Sequence, residues 1–206
     1  MINKTVKQKH KDMKISKYLV SLAVLLVAIS ILVSCKKKEE DEAQNYWVIY
    51  QDWREKNTAF FEEKYAETDA QGNLVYTRVT PTWDPTSTIL MRWYNDRTLT
   101  ADSMSPFSTS YVDVIYEGTT YEGVVFDDSF DNTEPADSIY RSKLSDNVKG
   151  WVIALTNMRV GDHCEVIIPQ DCGYGAEVKS DILLPYTTLV FDIKFRGIPG
   201  LEKPVN

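Results

Sequence analysis

The hydrophobic and polar residues in the second half of the chain alternate with the period of β-strands. Val112, Val114 and Tyr116 occupy every second position and therefore share one face of a predicted strand. Gly118 and Gly123 follow this strand and predict the turn of a hairpin. The same alternation predicts further strands over residues 74–83, 89–95, 163–169 and 188–196.

A helical spacing replaces this alternation over residues 43–66. Aromatic and apolar side chains recur there every three to four positions, which predicts an amphipathic helix. We expect its aromatic face to pack on the domain that follows. Binding of a separate partner is the alternative.

A second, shorter helix is predicted from about Asn147 onward. Trp151 and Leu155 are four positions apart and share one face of it, and Ser145 or Asp146 is the candidate cap. Several strands with one short helix packed across them predict an antiparallel α+β fold.

The N-terminal segment has the pattern of a secretory signal rather than of a folded domain. Six lysines within residues 1–17 precede the uncharged, mostly apolar residues 18–34, and Cys35 follows. The motif Leu32-Val33-Ser34-Cys35 resembles a bacterial lipoprotein box, and this resemblance implies cleavage before Cys35 and its lipidation. A retained membrane anchor is the alternative, although the apolar run is shorter than the roughly 20 residues of a comfortable span.

The pattern changes divide the chain into four predicted parts. They are a lipoprotein signal peptide at 1–34, a charged tether at 35–42, a helical extension with one strand at 43–87, and a catalytic or binding domain at 88–206.

The charge of the chain argues against anionic partners. The formal charge is -7 overall, and because residues 1–34 contribute +5, the chain from Cys35 onward carries -12. Such a charge disfavours nucleic acid and anionic membrane surfaces as partners. A chain of 206 residues, 43% of them hydrophobic, is large enough to bury one good core.

The residues of common catalytic sites are missing. His163 is the one histidine after the predicted signal, and we expect it on the surface. Cys164 and Cys172 lack the spacing of a redox or zinc motif, and a disulfide between them would need a tight chain reversal. We therefore expect no cofactor, and no metal at the acidic stretch that contains Asp127 and Asp128.

Four motifs in order resemble the FKBP-type peptidyl-prolyl cis-trans isomerases over roughly residues 88–197. They are VDVIYEG followed by FDDS at 112–118 and 126–129, VKGW at 148–151, YGA at 174–176, and Pro185 followed by TLVFD at 188–192. The resemblance implies an antiparallel FKBP-like sheet wrapped around one short helix, with the N-terminal amphipathic helix as an extension.

The same resemblance assigns a role to each residue of a proline-binding pocket. It places Trp151 on the floor, Tyr116, Phe126 and Phe191 in the walls, Asp127 and the Tyr174 hydroxyl as polar contacts, and the Val148 backbone amide as the donor to the substrate carbonyl. The alternative is that these aromatic residues are only core.

The chain also departs from the family pattern near this pocket. Asn147 stands where a second apolar residue is usual, and we expect its amide to face an apolar pocket at a cost in free energy. The aromatic residue expected near Ser142 is displaced to Tyr140 or missing. The rim has Leu184-Pro185 and Lys179 where Pro-Pro and a histidine are common.

Prolyl isomerisation suits these residues because it needs no nucleophile, metal or strong acid. We therefore expect a monomeric isomerase that acts on Pro-containing segments of exported proteins, lipid-anchored at the cell envelope and facing the periplasm or the surface from the outer membrane. One alternative is a non-catalytic FKBP-like module that binds such segments. Another is an envelope component that recognises glycans or partners through the aromatic helix.

We predict acylation at Cys35, because the lysine-rich start, the apolar run and the box-like tetrapeptide occur together. Metabolic labelling with a fatty-acid analogue should mark the wild type and leave Cys35→Ala unlabelled. Equal labelling of the two proteins would contradict the prediction.

Overall fold

The computed structural model describes residues 45–201 of the chain. The predicted signal, tether and Cys35 lie outside these residues, so the four-part division stays a prediction. Contacts divide the chain into residues 1–49 and 50–206, and residues 45–49 of the first unit are helical. No helix within 45–201 is both long enough and apolar enough to span a bilayer.

The second unit contains two helices and seven strands within its described residues. The helices are α1 (Gln51–Ala66) and α2 (Lys149–Asn157). The strands are β1 (Thr77–Val79), β2 (Ile89–Trp93), β3 (Tyr111–Thr120), β4 (Val125–Asp128), β5 (Tyr140–Lys143), β6 (His163–Ile168) and β7 (Leu189–Gly197). Short 3-10 turns cover Leu144–Asp146 and Gln170–Cys172.

All seven strands form one antiparallel sheet in the order β1-β2-β6-β7-β3-β4, which confirms the predicted α+β fold. β5 also pairs with β3. Glu117 of β3 lies opposite Asp128 of β4, whereas Tyr111 of β3 lies opposite Lys143 of β5. β4 and β5 therefore divide the length of β3 between them, and the chain connecting them leaves the sheet beside the pocket described below.

The main core lies between α2 and one face of the sheet. Alternate residues of each long strand point into it, among them Val114, Val166 and Phe195, which are fully or almost fully buried. Gly150 allows α2 to approach β6 closely, because a Cβ atom on it would lie 2.4 Å from the Ile168 Cγ2 atom. The buried face of the helix carries Trp151 and its apolar neighbours.

The predicted caps of α2 are wrong. Ser145 and Asp146 belong to the 3-10 turn that precedes the helix, and the N-cap position is Val148, which makes no capping hydrogen bond through its side chain. The backbone is extended at Asn147, which separates this turn from the helix. Neither polar residue therefore reaches the N-cap position.

α1 packs on the opposite face of the sheet, in agreement with the prediction that it packs on the domain that follows. Leu90 and Ile167 point to this face and are fully buried. Phe60, Phe61 and Tyr65 of α1 pack against them. These aromatic side chains are therefore occupied within the molecule, which argues against their use for a separate partner. The predicted helix over 43–66 is not continuous, since a turn occurs at Tyr50.

Asn57 fixes α1 to the start of β7. Its Oδ1 atom accepts a hydrogen bond of 2.7 Å from the Thr188 backbone N–H, and its Nδ2 atom donates to the Trp53 carbonyl at 2.8 Å. Asn57 is 1% exposed, so these bonds are made away from water. A single amide side chain therefore joins the helix to the central part of the sheet.

We predict that Asn57→Ala lowers the free energy of unfolding by about 1–3 kcal/mol, because the buried Thr188 N–H would lose its acceptor. Urea denaturation followed by circular dichroism measures the change. Lys56→Ala, at the exposed neighbouring position, is the matched control and should leave stability nearly unchanged. Equal midpoints for the two variants would contradict this account.

Candidate functional site

A cavity of about 200 Å³ opens between the start of α2 and the strands β3, β4, β5 and β7. Six of the seven predicted pocket residues line it: Tyr116, Asp127, Val148, Trp151, Tyr174 and Phe191. Three further residues line it: Tyr140, named above as the possible displaced aromatic residue, Asn147, expected beside the pocket, and Asp146, which the sequence analysis did not place there. The fold thus brings together residues that are up to 75 positions apart in the sequence.

Trp151 forms the centre of an aromatic cluster. Its ring centroid lies 5.0 Å from that of Tyr116, 5.3 Å from that of Phe191 and 6.1 Å from that of Tyr140. The interplanar angles are 87°, 81° and 85°, so all three contacts are edge-to-face, the arrangement that aromatic quadrupoles favour. Three rings thus hold the indole on different sides.

Phe126 lies behind this cluster rather than on the cavity surface. Its ring meets Phe191 edge-to-face at 5.5 Å. The register of β3 and β4 shifts between Gly118 and Thr119. Gly118 is required here, because a Cβ atom on it would lie 2.7 Å from the Phe126 ring and 2.8 Å from the Phe191 ring. Phe126 therefore supports a wall of the pocket through Phe191.

Tyr116 and Asp127 supply a polar pair at one side of the cavity. The Tyr116 hydroxyl donates a hydrogen bond of 2.7 Å to Oδ2 of Asp127. Burial raises the pKa of the Tyr116 phenol well above its usual range, and the Asp127 carboxylate raises it further. The phenol therefore stays a proton donor, and it fixes the orientation of the carboxylate at the cavity wall.

Tyr174 contributes a second hydroxyl from the loop that follows β6. Burial raises the pKa of its phenol, while the Lys179 ammonium acts in the opposite direction. Lys179 Nζ lies 5.0 Å from the centre of the Tyr174 ring. The Tyr174 hydroxyl is therefore protonated at neutral pH and can donate a hydrogen bond to a bound ligand.

The Val148 backbone amide lies at the cavity beside the first turn of α2. Its own carbonyl accepts hydrogen bonds from the N–H groups of Trp151 and Val152. Within the described part of the chain the Val148 N–H donates to no backbone carbonyl. At the N-terminus of a helix, such an amide is oriented to donate to a carbonyl oxygen.

The expectation for Asn147 is wrong. Its Nδ2 atom donates to the Ser142 hydroxyl and the Lys143 carbonyl, both at 3.0 Å, and to the Leu144 carbonyl at 3.3 Å. The amide group is therefore hydrogen-bonded to the end of β5 and the start of the 3-10 turn instead of facing an apolar pocket without partners. Asn147 holds the turn that leads into Val148.

Tyr140 provides the aromatic ring that the family pattern places near Ser142. Its ring lies 5.5 Å from that of Tyr116 at an interplanar angle of 72°. The displacement by two positions keeps the ring on the same side of β5, because side chains repeat every second residue in a strand.

α1 also supports the pocket walls from outside. Tyr121, in the turn between β3 and β4, lies 5.2 Å from the Trp53 ring and 6.0 Å from the Phe60 ring. The Trp53 indole N–H donates to the Thr187 hydroxyl at 3.1 Å, just before β7. The helix thus contacts both chain segments that carry the pocket's aromatic walls.

His163 and the two cysteines lie apart from the residues that line this cavity. The His163 ring is partly exposed, and its Nε2 atom lies 2.8 Å from Oδ1 of Asp192. Cys164 and Cys172 are both buried and free, so the disulfide left open by the sequence is not formed. Burial raises the pKa of both thiols.

Comparisons with known proteins agree with this geometry. The family model described as FKBP-type peptidyl-prolyl cis-trans isomerase matches residues 103–196. An FKBP-type 22 kDa peptidyl-prolyl cis-trans isomerase of Escherichia coli is 37% identical over 93 residues, which are 45% of this chain and 43% of that protein. This chain therefore spans less than half the length of that relative.

The match covers a larger share of one smaller relative and of one solved structure. FK506-binding protein 1A of Neurospora crassa is 32% identical over 92 residues, which are 45% of this chain and 75% of that protein. The crystal structure of a Pseudomonas syringae peptidyl-prolyl cis-trans isomerase has the same fold, with a TM-score of 0.55 and 24% identity. The match covers 72% of this chain and 95% of that one.

The likeness thus extends over three quarters of one small relative, and it includes the residues that build the cavity. The chain belongs to the FKBP-type peptidyl-prolyl cis-trans isomerase family.

Proposed function

We propose that this chain catalyses cis-trans isomerisation of Xaa-Pro bonds in exported proteins. The observation that carries the proposal is the cavity itself, in which edge-to-face rings surround Trp151 and the polar groups lie at one side. A cavity of about 200 Å³ is large enough to hold a prolyl ring.

The chemistry follows from the nature of the barrier. An amide resists rotation by about 18–20 kcal/mol because resonance gives its C–N bond partial double-bond character. The planar amide is more charge-separated than the twisted one, so an apolar pocket disfavours the ground state relative to the transition state. Trp151, Tyr116 and Phe191 supply that pocket, and no proton needs to be transferred.

Hydrogen bonds from the rim hold the substrate chain while the bond twists. We propose that the Val148 N–H donates to a substrate carbonyl and that the Tyr174 hydroxyl is a second donor, since both residues line the cavity. Asp127 is held by Tyr116 and presents an acceptor to the substrate. Lowering the barrier by about 5 kcal/mol would accelerate the reaction by between three and four powers of ten.

We further propose that the protein acts at the cell envelope as a lipid-anchored monomer. The support is the N-terminal sequence, in which a lysine-rich start and an apolar run end at Cys35. Two or more acyl chains suffice for stable anchoring. Such a position would present the domain to polypeptides that have just been exported.

A non-catalytic module that binds Pro-containing segments is the second candidate. It is favoured by Asp146 and Asn147, which bring polar groups to the rim; Asn147 stands where the family pattern usually has an apolar residue. A wetter rim would weaken the preference for the twisted amide while leaving binding intact.

A protease-coupled isomerisation assay on the purified protein separates these two functions. Peptides that vary the residue before proline should isomerise faster than in buffer, with the highest kcat/KM for apolar residues at that position. Peptide binding with a rate equal to that in buffer would overturn the enzyme and leave the binding module.

Two kinds of substitution in the pocket should have different effects on stability and activity. Trp151→Ala leaves a cavity at the centre of the aromatic cluster, so it should cost about 3–5 kcal/mol of stability as well as activity. Tyr174→Phe keeps the ring and removes one hydroxyl, so it should lower turnover by roughly tenfold with the melting temperature little changed. A Tyr174→Phe enzyme with wild-type turnover would contradict the role of this hydroxyl.

Asp127→Asn is the companion variant to Tyr174→Phe. It keeps the volume of the side chain but removes the charge that accepts the hydrogen bond from Tyr116. We expect roughly a tenfold loss of turnover at nearly constant KM if the contact strengthens in the transition state. A higher KM with unchanged kcat would show that Asp127 only binds the substrate.

A further inference from the structure

A second concave surface lies on the outward side of α2, away from the sheet. It encloses about 650 Å³, and we call it the α2 groove. Its lining shares one property, the lack of any charged side chain: Trp83, Ser105, Pro106, Phe107, Ser108, Val152 and Thr156. In a chain with 26% charged residues, an uncharged groove is suited to an apolar ligand with backbone polar groups.

Two large aromatic side chains at this groove remain exposed. Trp83 is 61% exposed and Phe107 is 75% exposed. A single exposed aromatic residue is ordinary, but two that line one concavity beside Pro106 form an apolar patch of the kind that binds a partner. The serine and threonine hydroxyls between them can bond to the backbone of an extended chain.

The groove and the isomerase pocket lie at neighbouring turns of α2. Val148 lines the pocket and Val152 lines the groove. The Val152 N–H donates to the Val148 carbonyl at 3.3 Å, so the two residues are one helical turn apart on the same side. From Val148 to Thr156 the helix rises about 12 Å, which an extended chain spans in about three to four residues.

We propose that the α2 groove binds the apolar flank of the same polypeptide whose proline occupies the pocket. The proposal rests on the proposed function and specifies its substrates as unfolded chains with an aromatic or large aliphatic residue about three to four positions from the proline. A second copy of this chain is disfavoured as the occupant, because it would bring together two molecules that each carry -12 from Cys35 onward.

The test uses peptides that share one Xaa-Pro centre. The reference is a short tetrapeptide. The longer peptides form two series, which carry either phenylalanine or serine three or four residues before or after the proline. The wild type should bind one phenylalanine series roughly tenfold more tightly than its serine counterpart, which is the gain expected from burying part of one ring.

Trp83→Ala and Phe107→Ser should abolish this gain while leaving kcat/KM for the tetrapeptide unchanged. Both residues are exposed, so neither change opens the core. Leu99→Ser is the matched control, because Leu99 is 83% exposed and does not line the groove. It should keep the full gain.

Equal affinities for the phenylalanine and serine peptides in the wild type would overturn the proposal, as would a gain that survives in both groove variants. Failure of the proposed function would give a different experimental result. In that case the tetrapeptide would isomerise no faster than in buffer, while calorimetry would still show whether the phenylalanine gain depends on Trp83 and Phe107.

Discussion

The position of the Trp151 indole is the constraint on which the rest of the site depends. The ring is 3% exposed and meets the Tyr116, Tyr140 and Phe191 rings nearly at right angles. It reaches this depth because Gly150 lets α2 lie directly against Ile168. A Cβ atom at position 150 would clash with the Ile168 side chain, so either Ile168 or the helix that carries the indole would have to move.

The two faces of the sheet contribute to the pocket in different ways. The inner face supplies the rings, whereas α1 on the outer face stabilises the segments that carry them. Trp53 contacts the β3–β4 turn through Tyr121 and the start of β7 through Thr187. The N-terminal extension is therefore part of the architecture of the site, although none of its residues from 45 onward lines the cavity.

Much of the sheet and most of the pocket could be predicted from the sequence. The alternation around Tyr116 and Phe191 depends only on which side chains are buried, and burial repeats with the period of the strand. The roles of Asp127 and Trp151 were implied by the resemblance of their motifs to the family, and the hydrophobic pattern alone does not assign them. Their positions at the cavity agree with that assignment.

The remaining details depend on tertiary geometry that a linear pattern does not contain. Asn147 looked unfavourable because its three acceptors lie at the end of β5 and the start of a 3-10 turn, neither of which the sequence predicted. The prediction that Ser145 or Asp146 caps α2 was wrong for the same reason. Tyr140 was left open because β5 has four residues, too few for a clear alternation.

The central claim is that the pocket acts by desolvation and hydrogen bonding, without transfer of a proton. The most direct test is the ratio of kcat/KM in H2O to that in D2O for one Xaa-Pro peptide. Because no bond to hydrogen breaks when the amide twists, the account predicts a ratio close to about one. A ratio of about two or more would show a proton in flight and contradict the account.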